Sequence, residues 1–325
     1  MDHRPLGRTD LRIAPLVFGG NVFGWTADEA TSFRLLDAFV DHGFDAIDTA
    51  DVYSAWVPGH RGGESEAIIG RWLAANPGKR DKVSIFTKVG SDLGEGRKGL
   101  SARWIAQAAD DSLRRLQTDR IDLYFSHWPD AEAPYEETLG AYEALRAAGK
   151  IRHVGASNLD AAQLEAALGV SAAKGLPRYD VLQPEYNLYD RAGFEGPLRD
   201  LVLREAIGVV TYFSLASGFL SGKYRSEADL AGSRRGDAVK KYLNARGQRI
   251  LSALDEVAAD HGARPAEVAL AWLMASPGVT APIASATSTE QLASLARAAE
   301  LRLSTEQKAR LDAAGDTASQ DGNRP

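Results

Sequence analysis

Four side chains able to trade protons stand at the ends of three short apolar runs. The first run, Phe44-Asp-Ala-Ile-Asp-Thr-Ala-Asp-Val-Tyr53, is apolar at Phe44, Ala46 and Ile47 and then reaches a carboxylate, Asp48, and a phenol, Tyr53. Val83-Ser-Ile-Phe-Thr-Lys88 ends on an amine, and Ile121-Asp-Leu-Tyr-Phe-Ser-His127 ends on an imidazole. Buried strands that stop on titratable groups are how barrel and doubly wound folds assemble active sites. Singly each residue has an ordinary reading: Asp48 as a turn cap, Tyr53 as rim packing, Lys88 as a solvated amine, His127 as a satisfied core histidine. Gathered at one rim they form an acid–base group. A free phenol titrates near ~10, too high for an efficient acid at neutral pH. A neighbouring ammonium favours the phenolate and lowers that value, and a carboxylate beside the lysine keeps it charged and in place. With the histidine bonding a substrate oxygen, the set suits protonating a carbonyl oxygen while something else attacks its carbon.

Elements able to hold these groups alternate along the chain. After a turn-rich start over residues 1–12 that reads as a hairpin, strands are expected at 13–18, ending on Gly19-Gly20-Asn21, and then at each of the three runs above. Further strands are expected at 151–156, 180–183, 208–213 and 281–284. Between them lie helices at 64–75, 135–148, 160–173 and 197–205, with Asp28 and Ser101 as the caps of two others. Extra helices are expected at 248–259 and 265–275 and a last one from Thr289, with a frayed polar tail from Gly315 to Pro325. The polar segment 225–246 reads as a flexible surface loop or flap. About eight strand–helix alternations with short connections predict an α/β fold, a (β/α)₈ TIM barrel in a single domain covering 1–325, with its site at the strand C-termini. An open doubly wound sheet is the competing topology.

Composition narrows the function. The chain has 325 residues, a formal charge of −6 and no cysteine. The charge and the lack of long basic runs argue against nucleic acid, and the missing thiols remove disulfides, thiol nucleophiles and thiolate metal sites. No metal is expected. No apolar run nears the ~18–20 residues that span a bilayer, so no membrane partner and a cytoplasmic location are expected.

One motif misleads. Gly94-Glu-Gly-Arg-Lys-Gly99 matches the dinucleotide fingerprint by letter, but that fingerprint needs its first glycine at a strand end and its third inside a helix. Here the first glycine is well past Lys88 and the cap Ser101 follows the third, so the stretch reads as a loop.

The ordered words Leu6-Gly-Arg-Thr9, Asp48-Thr-Ala-Asp-Val-Tyr53, Phe86-Thr-Lys88, Ile121 to Trp128, Gly149-Lys-Ile-Arg-His-Val-Gly-Ala-Ser-Asn158, Gln183-Pro-Glu-Tyr-Asn187 and Leu215-Ala-Ser-Gly-Phe-Leu-Ser-Gly-Lys-Tyr224 carry a resemblance. Over roughly residues 5 to 314 the chain resembles the aldo-keto reductases. That resemblance implies a barrel that transfers hydride from a nicotinamide dinucleotide to an aldehyde or ketone. It implies Tyr53 as general acid, Lys88 as its tuner, Asp48 as the partner of Lys88, and His127 orienting the carbonyl. It also implies Ser157, Asn158 and Gln183 on the carboxamide and Tyr212, followed by Phe213, on the ring. Gly20, Asn21 and Val22, with Asp48, would stand beside the cofactor. Ser214, Leu215, Ser217, Gly218 and Lys223 would take the diphosphate under the 225–246 cover. Ser285, Thr287, Ser288 and Gln291 fall at the adenosine end, where many relatives carry a basic residue that this chain lacks; Arg297 is the next base downstream. NADP(H) is therefore expected to be favoured modestly, with NAD(H) accepted.

Trp25, Trp56 and Trp128 are expected to wall an aromatic pocket for a small carbonyl substrate; neither its identity nor the oligomeric state is legible. Two other functions compete. A Schiff-base lyase would use Lys88 as nucleophile. A cofactor-sensing adaptor would follow the potassium-channel β-subunits, which share the resembled barrel.

Overall fold

The computed structural model describes residues 2–233 and 235–316. Eight parallel strands close a barrel: β3 (Val17–Gly19), β4 (Ala46–Asp48), β5 (Ser84–Val89), β6 (Ile121–Ser126), β7 (Ile151–Ser157), β8 (Val181–Gln183), β9 (Gly208–Thr211) and β10 (Ala281–Ala284), with β10 returning to pair with β3. A small antiparallel hairpin, β1 (Arg4–Pro5) and β2 (Arg12–Ile13), precedes them. Its Leu6, Leu11 and Ile13 are buried with Val17, Phe86, Leu123 and Val181 inside the barrel, so the hairpin plugs the N-terminal end.

Around the strands run α1 (Glu29–Asp41), α2 (Glu64–Ala75), α3 (Ala102–Leu116), α4 (Tyr135–Ala147), α5 (Ala161–Lys174), α6 (Pro197–Arg204), α7 (Gly236–Lys240), α8 (Ala245–His261), α9 (Pro265–Met274), α10 (Thr289–Glu300) and α11 (Thr305–Gly315). The expected caps are in place. Asp28 accepts the Thr31 amide at 2.8 Å, and Ser101 accepts that of Trp104. The (β/α)₈ barrel stands, and the open sheet is excluded by the β10–β3 pairing.

Strand side chains alternate between faces, and this alternation positions the chemistry. In β5, Ile85 joins the layer under the helices while Phe86 joins the barrel interior. Two residues on from Phe86, Lys88 is again inward. Likewise Ala46 leads to Asp48, and Phe125 to His127. The register staggers the three: Asp48 pairs with Phe86, two residues before Lys88, and Lys88 with Phe125, two residues before His127.

Some boundaries differ from the sequence reading. The first barrel strand begins at Val17, because Arg12–Ile13 pair with the hairpin instead. The strand expected through Phe213 stops at Thr211, since Phe213 takes a left-handed φ of 50° and turns the chain. The segment 225–246, expected as a loop, contains a 3₁₀ turn at Glu227–Leu230 and the helix α7, and α8 starts within it. The C-terminus carries two helices beyond Thr289, not one. Gly315 closes the second, its backbone against the Leu188 carbonyl, and the expected fraying beyond Asp316 falls outside the described residues. The 94–99 stretch is a loop: its glycines all have positive φ, and Arg97 donates back to the Gly94 carbonyl.

Candidate active site

At the C-terminal rim the Lys88 ammonium, wholly buried, lies 2.7 Å from both carboxylate oxygens of Asp48, 2.8 Å from the Thr49 carbonyl and 3.0 Å from the Tyr53 hydroxyl. An ammonium has three protons, and a carboxylate, a carbonyl and a phenol oxygen take them all. Tyr53 donates to Asp48 Oδ2 over a long 3.3 Å, a bond a better acceptor can replace. Gln183 holds the carboxylate from the far side, donating to Oδ1 at 2.8 Å.

The His127 ring stands 6.2 Å from that of Tyr53 and stacks on Trp128. Its backbone is gripped on both sides: its amide donates to the Val89 carbonyl and its carbonyl accepts from Asn158 Nδ2, each at 2.8 Å. Burial, with the Lys88 charge second, pushes His127 well below the ordinary histidine value, so the ring is neutral.

Tyr53 corrects the sequence reading. Lys88 was expected to lower its pKa; instead burial, then the charge of Asp48 and the bond to it, raise it well above the ordinary phenol value. The reason is that Asp48 cancels the lysine charge, so the phenol faces a buried ion pair rather than a bare cation. Burial also pulls Lys88 itself below its usual value, with Asp48 opposing.

These groups open into a cavity of about 800 Å³. Of the residues singled out from the sequence, Asn21, Val22, Asp48, Tyr53, Trp56, His127, Trp128, Ser157, Asn158, Gln183, Tyr212, Phe213, Ser214, Leu215, Ser217, Gly218, Lys223, Ser285, Thr287 and Gln291 line it. Lys88 lies behind Tyr53. Gly20, Trp25 and Ser288 do not reach the lining: Gly19 takes the first place, Trp25 packs edge-on behind Trp56 at 5.6 Å, and Ser288 caps α10 through the Gln291 amide. Arg297 is spent on Glu267, which it meets at 2.6 Å.

Sequence reading missed Ser91, Arg235 and Arg264 on the same wall. Arg235, inside the supposed cover segment, lays its guanidinium over the Trp25 ring at 5.5 Å and so ties that segment to the loop that follows β3. No spacing rule could mark it, since the contact joins residues more than two hundred apart.

The lining fits a dinucleotide. Phe213, Ala216, Ser217 and Gly218 all have positive φ, a backbone turn of the kind that aims amides at an anion, and a Cβ on Gly218 would come within 3.8 Å of the Lys223 ammonium. At the other end, Asn158 accepts from the Tyr212 hydroxyl at 2.7 Å, and Ser157 donates to the Gln183 carbonyl at 2.8 Å, so a hydroxyl and two amide side chains form one polar wall beside Asp48.

The pattern of the Aldo/keto reductase family matches residues 15–316. The chain belongs to the aldo/keto reductase family. It is 35% identical over 316 residues to an uncharacterised oxidoreductase, YrpG, of Bacillus subtilis, covering 94% of this chain and 93% of that one. It is 34% identical to the aldo-keto reductase YhdN of the same organism, over 89% and 84% of the two chains. A probable voltage-gated potassium channel subunit beta of Arabidopsis thaliana is 32% identical, over 90% and 89%. Like other aldo/keto reductases by sequence, this one has an eight-stranded barrel, and no helix of its described residues is long and apolar enough to cross a membrane. No group of metal-binding side chains occurs among those residues either.

Proposed function

We infer that this aldo/keto reductase reduces an aldehyde or ketone to an alcohol, reversibly, with Tyr53 as the general acid. The observation that carries it is the Tyr53 hydroxyl, 3.0 Å from the Lys88 ammonium and facing the cavity beside a neutral His127. Ser157, Asn158, Gln183, Tyr212 and the 213–218 turn with Lys223 would hold a reduced nicotinamide dinucleotide, which would supply the hydride. Everything else is the work of this chain. His127 and Tyr53 point hydrogen-bond donors at the carbonyl oxygen and orient it. As that oxygen gains negative charge it becomes far more basic than a phenolate, and the proton crosses from Tyr53 despite its raised pKa. Lys88, touching the phenol oxygen, then stabilises the phenolate left behind. Asp48 keeps Lys88 aimed, and Gln183 keeps Asp48 aimed.

Trp56, Trp128 and Phe213, each about half exposed, offer aromatic walls at the mouth, which favours substrates with an apolar or aromatic body. NADPH is favoured over NADH by less than about a hundredfold, because the bases near α10 are already paired, Arg297 with Glu267 and Arg264 with Glu290, and none is left to select the 2′-phosphate.

A Schiff-base role for Lys88 is disfavoured: its amine is sealed from the cavity and all its protons are engaged. The adaptor reading rests on the name of the plant relative alone. The deciding test is a screen of aldehydes and ketones, nitrobenzaldehydes first, with NADPH and NADH. Folded protein that neither binds nor oxidises either dinucleotide removes the reductase reading. Very slow turnover with tight cofactor binding and a co-purifying partner favours the adaptor.

A further inference from the structure

A neutral imidazole carries one N–H. If His127 is to donate toward a substrate oxygen from Nε2, its Nδ1 must be an acceptor, and something must donate to it. A backbone carbonyl at Nδ1 would impose the opposite tautomer, because a carbonyl can only accept. What stands there is a hydroxyl: Ser91 Oγ lies 3.0 Å from Nδ1 and has no other hydrogen-bond partner among the described residues.

The placement is built into the fold. Ser91 is 8% exposed and three residues past Lys88, on the loop that leaves β5. Gly90 between them takes a φ of 117°, which an L side chain rarely adopts, and a Cβ there would press on Leu100 at 3.0 Å. That turn swings Ser91 toward the histidine. The His127 amide is tied to the Val89 carbonyl, so the β5 loop holds both the backbone and the ring nitrogen of His127. The other neighbours of the ring, Trp128 stacked on it and Tyr53 edge-on, offer Nδ1 no recorded bond.

We propose that Ser91 is a positioning residue for His127: its hydroxyl donates to Nδ1, fixes the Nε2–H tautomer and aims that N–H into the cavity. This rests on the reductase reading for its catalytic consequence, but the tautomer itself is a property of the resting protein. The protein has six histidines, so ¹⁵N-histidine labelling with a His127→Gln control assigns the His127 nitrogens in long-range ¹H–¹⁵N spectra. Wild-type protein at pH 7.5 should show a protonated Nε2 and a bare Nδ1. Ser91→Ala should make the Nδ1–H form measurable and lower kcat/KM for 4-nitrobenzaldehyde about two- to tenfold, the range of one hydrogen bond. Ser91→Thr, which keeps the hydroxyl, should restore both, and dinucleotide affinity by fluorescence titration should stay level across the series. A protonated Nδ1 in the wild type overturns the proposal, even if a variant fails to fold. So does a Ser91→Ala spectrum identical to wild type. If no carbonyl is reduced by any form, the reductase reading falls while the nitrogen spectrum still judges Ser91.

Discussion

Lys88 and Asp48 meet through both carboxylate oxygens at 2.7 Å, with the lysine side chain wholly buried and the carboxylate nearly so. Breaking such a pair from one side leaves an uncompensated buried charge, which costs about 3–5 kcal/mol. Lys88→Met should therefore lower the melting temperature as well as activity. Asp48→Asn, which strips the buried lysine of its counter-charge, should be destabilised too, and the double variant Lys88→Met/Asp48→Asn should lose less than the sum of the two. Thermal melts of the three proteins check this; strictly additive losses would show that the charge of the pair is not what the fold depends on.

Tyr53→Phe keeps the ring and removes the proton. Reduction should fall by about 10²–10⁴-fold, the usual span of general acid catalysis, with dinucleotide binding preserved. A variant retaining more than about a tenth of the wild-type rate clears Tyr53 of the role.

Neither Tyr53 nor His127 should titrate near neutrality. Burial holds Tyr53 well above and His127 well below their ordinary values. The kcat/KM for carbonyl reduction should then be level from about pH 6 to pH 8, the interval that an unperturbed histidine near ~6.5 would bend. An inflection there that disappears in His127→Gln would place a titrating imidazole in the site.

Asp51 lies just beyond the same strand end, fully buried, and burial, then the Glu66 charge, push its carboxyl well above the ordinary value, against Arg115 and Lys88. The folded protein thus keeps a proton that the unfolded chain releases above about pH 4. Its stabilising contribution is complete below that pH and is lost as pH rises toward the folded value. Asp51→Asn should raise the melting temperature at pH 7–8 and change it little near pH 4. A difference between the two proteins that does not vary with pH contradicts a proton held on Asp51.

Thr287 spends its amide and hydroxyl on Gln291 Oε1, at 2.8 and 3.1 Å, so the start of α10 presents no cation of its own. Thr287→Arg should raise the NADPH/NADH ratio of kcat/KM about tenfold or more, given ~1.5–3 kcal/mol for a charge-assisted bond. An unchanged ratio means Thr287 does not face the 2′ position.

Much of this protein is local and therefore legible in one dimension. Period-two strands, capped helices and glycine stops repeat at near-neighbour spacing, so the barrel, Asp28 and Ser101 as caps, and Asp48, Lys88 and His127 at strand ends all follow from short-range rules. The 94–99 glycines are local too: their distance from the end of β5 and from the cap Ser101 makes them a loop. What depended on the third dimension is whatever one strand does to another. The pairing of β10 with β3 closes the barrel, and the staggered register of β4 on β5 sets the Lys88 ammonium on Asp48, with Gln183 of β8 on the carboxylate's other side. Burial is a property of the whole assembly, and it reversed the expected shift of Tyr53. Loop-to-loop contacts have no sequence period at all, which is why Ser91 against His127 and Arg235 across Trp25 emerge only when the chain is folded.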